Sequence, residues 1–293
     1  LVNLTNQTPA NKIFEALDEV EDICEKEEIG CYDAQKLPHV LGLGAEKTGK
    51  SSLMCRLLML PLFPNATDNG ICTRMPIRTE VRHRHTSLPP SVVVWDTQTN
   101  APTNMSIPIL SSVSAGIQLR ELMQSLDTTL TGEAIISNLE LRVRVYSPVL
   151  PSMDFLDLPG LVDNPPTQKA ATLKLAMDHL DQEEEQSMIL AVVPARDSLG
   201  TSPGLTMVFA RKMQDRTICV LTNADLSVST RPLKVGMIKK LGNTHDRALE
   251  PYGYVATSLE QIEPVEKQNL LDALHRQKNK EVEFFQKTDT FFG

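Results

Sequence analysis

Gly44, Ala45, Glu46, Lys47, Thr48, Gly49, Lys50 and Ser51 make the run GAEKTGKS, which fits the phosphate-binding pattern GxxxxGK[ST] without a mismatch. A Gly-rich turn of this kind aims consecutive backbone N–H groups at an anion, and the helix that follows adds the positive end of its dipole. The spacing puts Lys50 on the β- and γ-phosphates of a nucleoside triphosphate and Ser51 on the Mg²⁺ that bridges them. Ser52 follows at the start of the helix beside the phosphates.

Three later segments carry the other groups such a site needs. In MDFLDLPG, Asp157 can reach Mg²⁺ through water and the Gly160 N–H can contact the γ-phosphate; alone, the segment also reads as a common Pro-Gly turn. In TICVLTNAD, Thr222, Asn223 and Asp225 stand at a strand end. A carboxylate there accepts both N1–H and N2–H₂ of guanine, a pair adenine cannot supply, although Asp225 alone would also serve as a helix cap. Thr73, in the polar loop Phe63–Pro76, offers a hydroxyl and an N–H that can close over Mg²⁺ and the γ-phosphate.

The elements that must hold these groups follow from periodicity. HVLGLG (His39–Gly44) is a short apolar run suited to a buried parallel strand, and Ser51–Leu60 has helical spacing, so strand, Gly-rich loop and helix come in the required order. IRTEVRH and SVVVW read as strands, Thr97–Asn104 as a loop and Gly116–Leu126 as a helix. The alternation in LELRVRVYS (Leu139–Ser147) predicts a half-exposed strand. From there strands MDFLD, MILAVVP, TICVLT and YGYVATS alternate with helices near 167–182, 203–213 and 231–241, and a final helix closes the chain. This order predicts an α/β fold with a central, mostly parallel sheet covered by helices on both faces. Periodicity also predicts a helix over residues 13–28, with Ile13, Leu17, Val20 and Cys24 on one stripe and Asn11 as its cap.

Composition narrows the class. A chain of 293 residues, 41% hydrophobic, buries a full core. The net charge of −8, without a Lys/Arg block, argues against nucleic acid as a partner. The longest apolar stretch, Leu57–Phe63, is broken by Pro61 and falls short of the ~20 residues that span a bilayer. Cys24, Cys31, Cys55, Cys72 and Cys219 form no CxxC pair and read as reduced and intracellular. The chain begins at Leu1 rather than Met, and a trimmed fragment is expected.

Taken in order, GICTRMPIRTEV, LRVRVYSPVLPSMDFLDLPGLVD, MILAVVPARDSL and TICVLTNADL resemble the GTPase domain of the dynamin superfamily, from about Leu37 to the C-terminus. The resemblance implies a GTP-binding and GTP-hydrolysing motor domain that uses Mg²⁺, dimerises through itself and drives membrane fission or fusion. It makes the Thr73 loop the first switch, DLPGLVDNP the start of the second, TNAD the guanine-reading motif and Tyr254–Ser258 the last nucleotide-contacting loop, ending in Ser258. Lys50, Thr73, Glu46, Lys47 and Gly160 become the catalytic set; Ser51, Thr73 and, through water, Asp157 become the metal set. Residues 1–30 would be a bundle helix, 31–262 the GTPase domain, and 263–293 a helical segment leading to a stalk outside this sequence. Four of eight Phe (Phe284, Phe285, Phe291 and Phe292) lie in that last segment and suggest truncation or docking on residues 13–24. The implied setting is cytoplasmic, peripheral at a membrane touched only by segments outside this sequence.

The sequence also departs from the family pattern. Glu46 and Lys47 stand where Gln and Ser are usual, and Lys47 resembles the basic residue found there in the guanylate-binding and atlastin branch. Two readings stay open: Lys47 replaces the monovalent cation that offsets charge between the β- and γ-phosphates, or it is a solvated side chain paired with Glu46. Glu46 itself takes the position of the water-orienting Gln and adds negative charge near the γ-phosphate. Asn223 replaces a Lys that packs along the base, Ala256 and Thr257 replace Asn and Arg, Asp163 replaces a Lys of the second switch, and Pro203 falls where an acidic residue often joins the dimer face. A GTP-binding scaffold with negligible hydrolysis is therefore an alternative, and an ATP-dependent P-loop enzyme is a second one that TNAD argues against.

Overall fold

Short β-branched runs alternating with amphipathic stretches build strands and helices in turn. The computed structural model of the protein describes residues 39–58, 62–63, 73–83, 90–103, 115–126, 135–147, 152–182, 187–227, 231–258 and 270–288. Its strands are β1 (Val40–Gly44), β2 (Ile77–His83), β3 (Ser91–Asp96), β4 (Ala101–Pro102), β5 (Leu139–Ser147), β6 (Met153–Asp157), β7 (Met188–Pro194), β8 (Thr217–Thr222) and β9 (Tyr254–Ala256). They form one sheet in the order β4-β3-β5-β2-β6-β1-β7-β8-β9. The half from β6 to β9 is parallel, as is the β2–β5 pair, whereas β2–β6, β3–β5 and β3–β4 are antiparallel. The helices are α1 (Lys50–Leu58), α2 (Ala115–Leu126), α3 (Pro166–Gln182), α4 (Pro203–Ala210), α5 (Ala224–Ser227), α6 (Arg231–Leu241) and α7 (Leu270–Thr288).

Helices cover both faces. Leu53, Met54 and Leu58 of α1, with Leu119 and Met123 of α2, are buried with Ile77, Val81, Leu141, Val143 and Phe155. Ala176 and Leu180 of α3, with Met207 and Val208 of α4, are buried with Leu41, Leu43, Leu156 and Ile189. A third cluster holds Ala191, Val193, Cys219, Leu221 and Met237, with Phe284 and Phe285 of α7 packed against it. Burial pushes the Cys55 and Cys219 thiols up to about 12, which leaves both as inert core residues.

Two readings of the sequence change. The segment Thr97–Asn104 includes β4, which pairs Ala101 with Asp96 and Pro102 with Trp95 at the sheet edge. More consequentially, β5 is not half-exposed. It lies between β3 and β2, and its polar residues meet the alternate charges of β2 instead of water. Arg78 Nε and Arg142 Nε donate to Glu140 Oε1 at 3.0 and 2.9 Å, Arg144 Nη2 lies 2.8 Å from Glu80 Oε2, and Arg82 pairs with Asp154. The Arg142 guanidinium stacks 3.6 Å from the Trp95 ring centre. Burial pushes the Glu140 carboxyl up, but Arg78 and Arg142 outweigh it and hold it below its ordinary value. At Asp154 burial wins over Arg82, and the carboxyl sits above its ordinary value. Residues 13–28, Phe291, Phe292, Cys24, Cys31 and Cys72 lie outside the described residues.

Candidate functional site

Because β6, β1, β7 and β8 run parallel, Asp157, Gly44 and Thr222 all emerge at one edge of the sheet, the place where open α/β sheets hold ligands. From Gly44 the chain turns through Ala45–Gly49 into α1. Lys47 and Gly49 take left-handed conformations with φ of 62° and 88°. That region is open to glycine and strained for Lys47, so the surrounding contacts must hold the loop in this shape. They are visible. Thr48 Oγ1 donates to Ala45 O at 2.9 Å, and the Glu46 N–H donates to Leu161 O at 2.8 Å while the Leu161 N–H donates to Gly44 O at 3.0 Å. The segment after β6 is thereby laced to the loop. Gly160 lies so close that a Cβ there would fall 2.8 Å from Glu46 Cα.

The predicted metal set comes together. Ser51 Oγ lies 3.4 Å from Thr73 Oγ1 and donates to Asp157 Oδ2 at 3.3 Å. The Lys50 ammonium pairs with Asp157 Oδ1 and donates to Leu158 O; Lys50 is 5% exposed and Asp157 fully buried. Two hydroxyls and a carboxylate are hard oxygen donors of the kind Mg²⁺ takes. Among the described residues no group of three or more His, Cys, Asp or Glu side chains could hold a metal alone. The set therefore fits an ion whose remaining ligands are phosphate oxygens and water.

The residues that the sequence assigns to guanine recognition also converge. Asn223 turns the chain with φ 53°, and the carboxylate of Asp225, in the first turn of α5, accepts from Ser258 Oγ at 3.1 Å. Backbone bonds from Thr257 N to Leu221 O (2.9 Å) and from Ala224 N to Thr257 O (3.1 Å) fix the last loop against β8. Thr222, fully buried, faces the phosphate loop: its hydroxyl donates to Thr48 O at 2.6 Å. Lys47 is 61% exposed, with Nζ 3.9 Å from Glu46 Oε1. Ser52, at the start of α1, is half-buried. Asp163 is exposed and 3.2 Å from Lys169 Nζ, and Pro203 opens α4 behind a Ser202 cap.

Sequence reasoning missed the Thr48 hydroxyl, Leu161, Arg56 and Glu281. Thr48 and Leu161 act through groups any residue or any hydroxyl could supply, so their identities carry no signal. Glu281 left one: it is a carboxylate on the apolar stripe of α7, where Ala273 and Leu274 are buried and Phe284 and Phe285 pack on the core.

A family model described as the dynamin family matches residues 40–224. The chain is similar to Interferon-induced GTP-binding protein Mx2 of Sus scrofa, 26% identical over 233 residues that cover 76% of this chain and 30% of that protein. It is similar to Dynamin-related protein dnm1 of Schizosaccharomyces pombe, 27% identical over 251 residues, 70% of this chain and 31% of that one. Dynamin-like GTPase msp1, mitochondrial, of the same yeast is 23% identical over 255 residues, 84% and 26% of the two chains. The chain thus spans under a third of the length of these curated relatives. With the family match running from the start of β1 through the phosphate loop and the Asp157 strand to Ala224, just past the end of β8, the chain belongs to the dynamin family and has the α/β fold of its P-loop GTPase domain.

Proposed function

We propose that this chain binds Mg²⁺·GTP at the sheet edge and hydrolyses it as the motor domain of a membrane-remodelling protein. The observation that carries the reading is the meeting of Ser51, Thr73 and Asp157 within 3.4 Å, beside Lys50 and on the same edge as Asp225. Backbone N–H groups of residues 44–52 cradle the phosphates, and Lys50 places its ammonium on the β- and γ-phosphates. Ser51 and Thr73 would hold Mg²⁺ through their hydroxyls, with Asp157 acting through water, and the chemistry it would supply is neutralisation of phosphate charge. Gly160 offers its N–H to the γ-phosphate, and Asp225 takes N1–H and N2–H₂ of guanine with Ser258 beside it. Water attacks the γ-phosphate in line, in the neighbourhood of Glu46. Lys47 stands in for a monovalent cation, putting an ammonium where negative charge develops between the β- and γ-phosphates.

Self-association through this domain would accompany turnover, and membrane contact would come from segments outside this sequence, giving a peripheral, cytoplasmic protein. Among the described residues no helix is long and apolar enough to cross a membrane. Phosphate release measured against protein concentration tests the reading: specific activity should rise with concentration. Absence of phosphate release in a single turnover would favour the GTP-binding scaffold, a reading that the negative charge of Glu46 within the loop supports.

A further inference from the structure

We propose that Glu281 is a positioning residue for guanine recognition: its carboxylate holds Thr257 and Ser258, and Ser258 in turn holds the Asp225 carboxylate where the base is read. The inference rests on the assignment of Asp225 as the base reader.

Residues 273, 277, 281 and 284 recur at helical spacing along α7, and this stripe faces the domain: Ala273, Leu274 and Gln277 are buried and Phe284 and Phe285 pack on the core. A carboxylate set in such a seam costs stability unless its oxygens are occupied. Those of Glu281, whose side chain is 18% exposed, are occupied by groups from two parts of the site. Oε1 accepts the Ser258 N–H at 3.0 Å and the Thr257 hydroxyl, while Oε2 lies 3.7 Å from Nη2 of Arg56, in the last turn of α1. One side chain of α7 therefore grips the last nucleotide loop and the helix that follows the phosphate loop. From Ser258 the chain of bonds continues without a gap, because its Oγ donates to Asp225 Oδ1 at 3.1 Å. Holding that carboxylate in one orientation matters because two parallel hydrogen bonds to guanine tolerate little rotation. Thr257 is 7% exposed, so its hydroxyl has no solvent to turn to if Glu281 is removed.

Calorimetric titration of the full chain with GDP and with IDP, whose hypoxanthine lacks the 2-amino group, tests this. Wild-type protein should bind GDP more tightly than IDP, because IDP cannot donate the N2–H₂ hydrogen bond to Asp225. In Glu281→Ala, GDP binding should weaken about five- to tenfold and the GDP/IDP ratio should shrink at least threefold. Glu281→Gln keeps an Oε1 acceptor for Ser258 and should keep the wild-type ratio although it loses the charge facing Arg56. Ser258→Ala, which cuts the same chain without touching α7, should shrink the ratio as Glu281→Ala does. A GDP/IDP ratio unchanged in Glu281→Ala and Ser258→Ala, or equal weakening of both nucleotides, would overturn the inference and leave the base reader standing. Equal affinities in the wild type would instead remove the base reader and the inference together.

Discussion

The Thr222 hydroxyl donates a 2.6 Å hydrogen bond to the backbone carbonyl of Thr48, joining the end of β8 to the phosphate loop across 174 positions of sequence. The phosphate loop and the turn that carries Asp225 are therefore tied together by a buried side chain at the end of β8. Thr222→Val removes the donor and leaves the Thr48 carbonyl buried and unpaired. The expected cost is about 1–3 kcal/mol of stability, with weaker GDP binding, and Thr222→Ser should restore both. Thermal unfolding and GDP titration of the two variants check this.

Lys50 and Asp157 form a buried pair, at 5% and 0% exposure. Removing one partner strands the other, so Lys50→Met should destabilise the nucleotide-free protein by roughly 3–5 kcal/mol as well as abolish GTP turnover. Chemical denaturation without nucleotide reads the first effect separately from the second.

Glu140 gives a pH signature. Its carboxyl is held below its ordinary value because Arg78 and Arg142 outweigh burial, so it adds stability in full above its unfolded value of about 4. That contribution is lost as pH falls through the lower folded value. Glu140→Gln should be less stable than wild type near neutral pH by roughly 3–5 kcal/mol, and the gap should narrow as the unfolding of both is measured at pH lowered below about 4.

The motifs were legible in the sequence because each packs its chemistry into consecutive residues at a strand end: GAEKTGKS, DLPG and TNAD fall where the pattern placed them. Strands β6, β7 and β8, as near-continuous apolar runs, also announced a parallel sheet. LELRVRVYS misled for a physical reason: alternation states that the two faces of a strand differ, but a face of Arg and Glu reads alike whether it meets water or the opposite charges of β2. Glu281 escaped because its partners Ser258 and Arg56 are distant in sequence, and only its place on an apolar stripe marks it.

Lys47 separates the two readings of the phosphate loop. With its ammonium standing in for a monovalent cation, GTP turnover should be insensitive to K⁺ and Na⁺, and Lys47→Ser should lower turnover roughly 10²-fold while making it respond to K⁺. Strong activation of the wild type by either ion would leave Lys47 as the exposed partner of Glu46, 3.9 Å away.

The proposed function turns on Asp225 choosing guanine for a triphosphate held at the phosphate loop. Titrating wild-type protein with GDP, ADP and XDP, and Asp225→Asn with the same three, tests it most directly. Wild type should prefer GDP. The Asn variant, which donates where Asp accepts, should lose GDP affinity by at least tenfold and gain affinity for XDP, whose 2-oxo group accepts that hydrogen. Equal binding of GDP and ADP by the wild type, or an Asn variant with unchanged GDP affinity, would rule out Asp225 as the base reader.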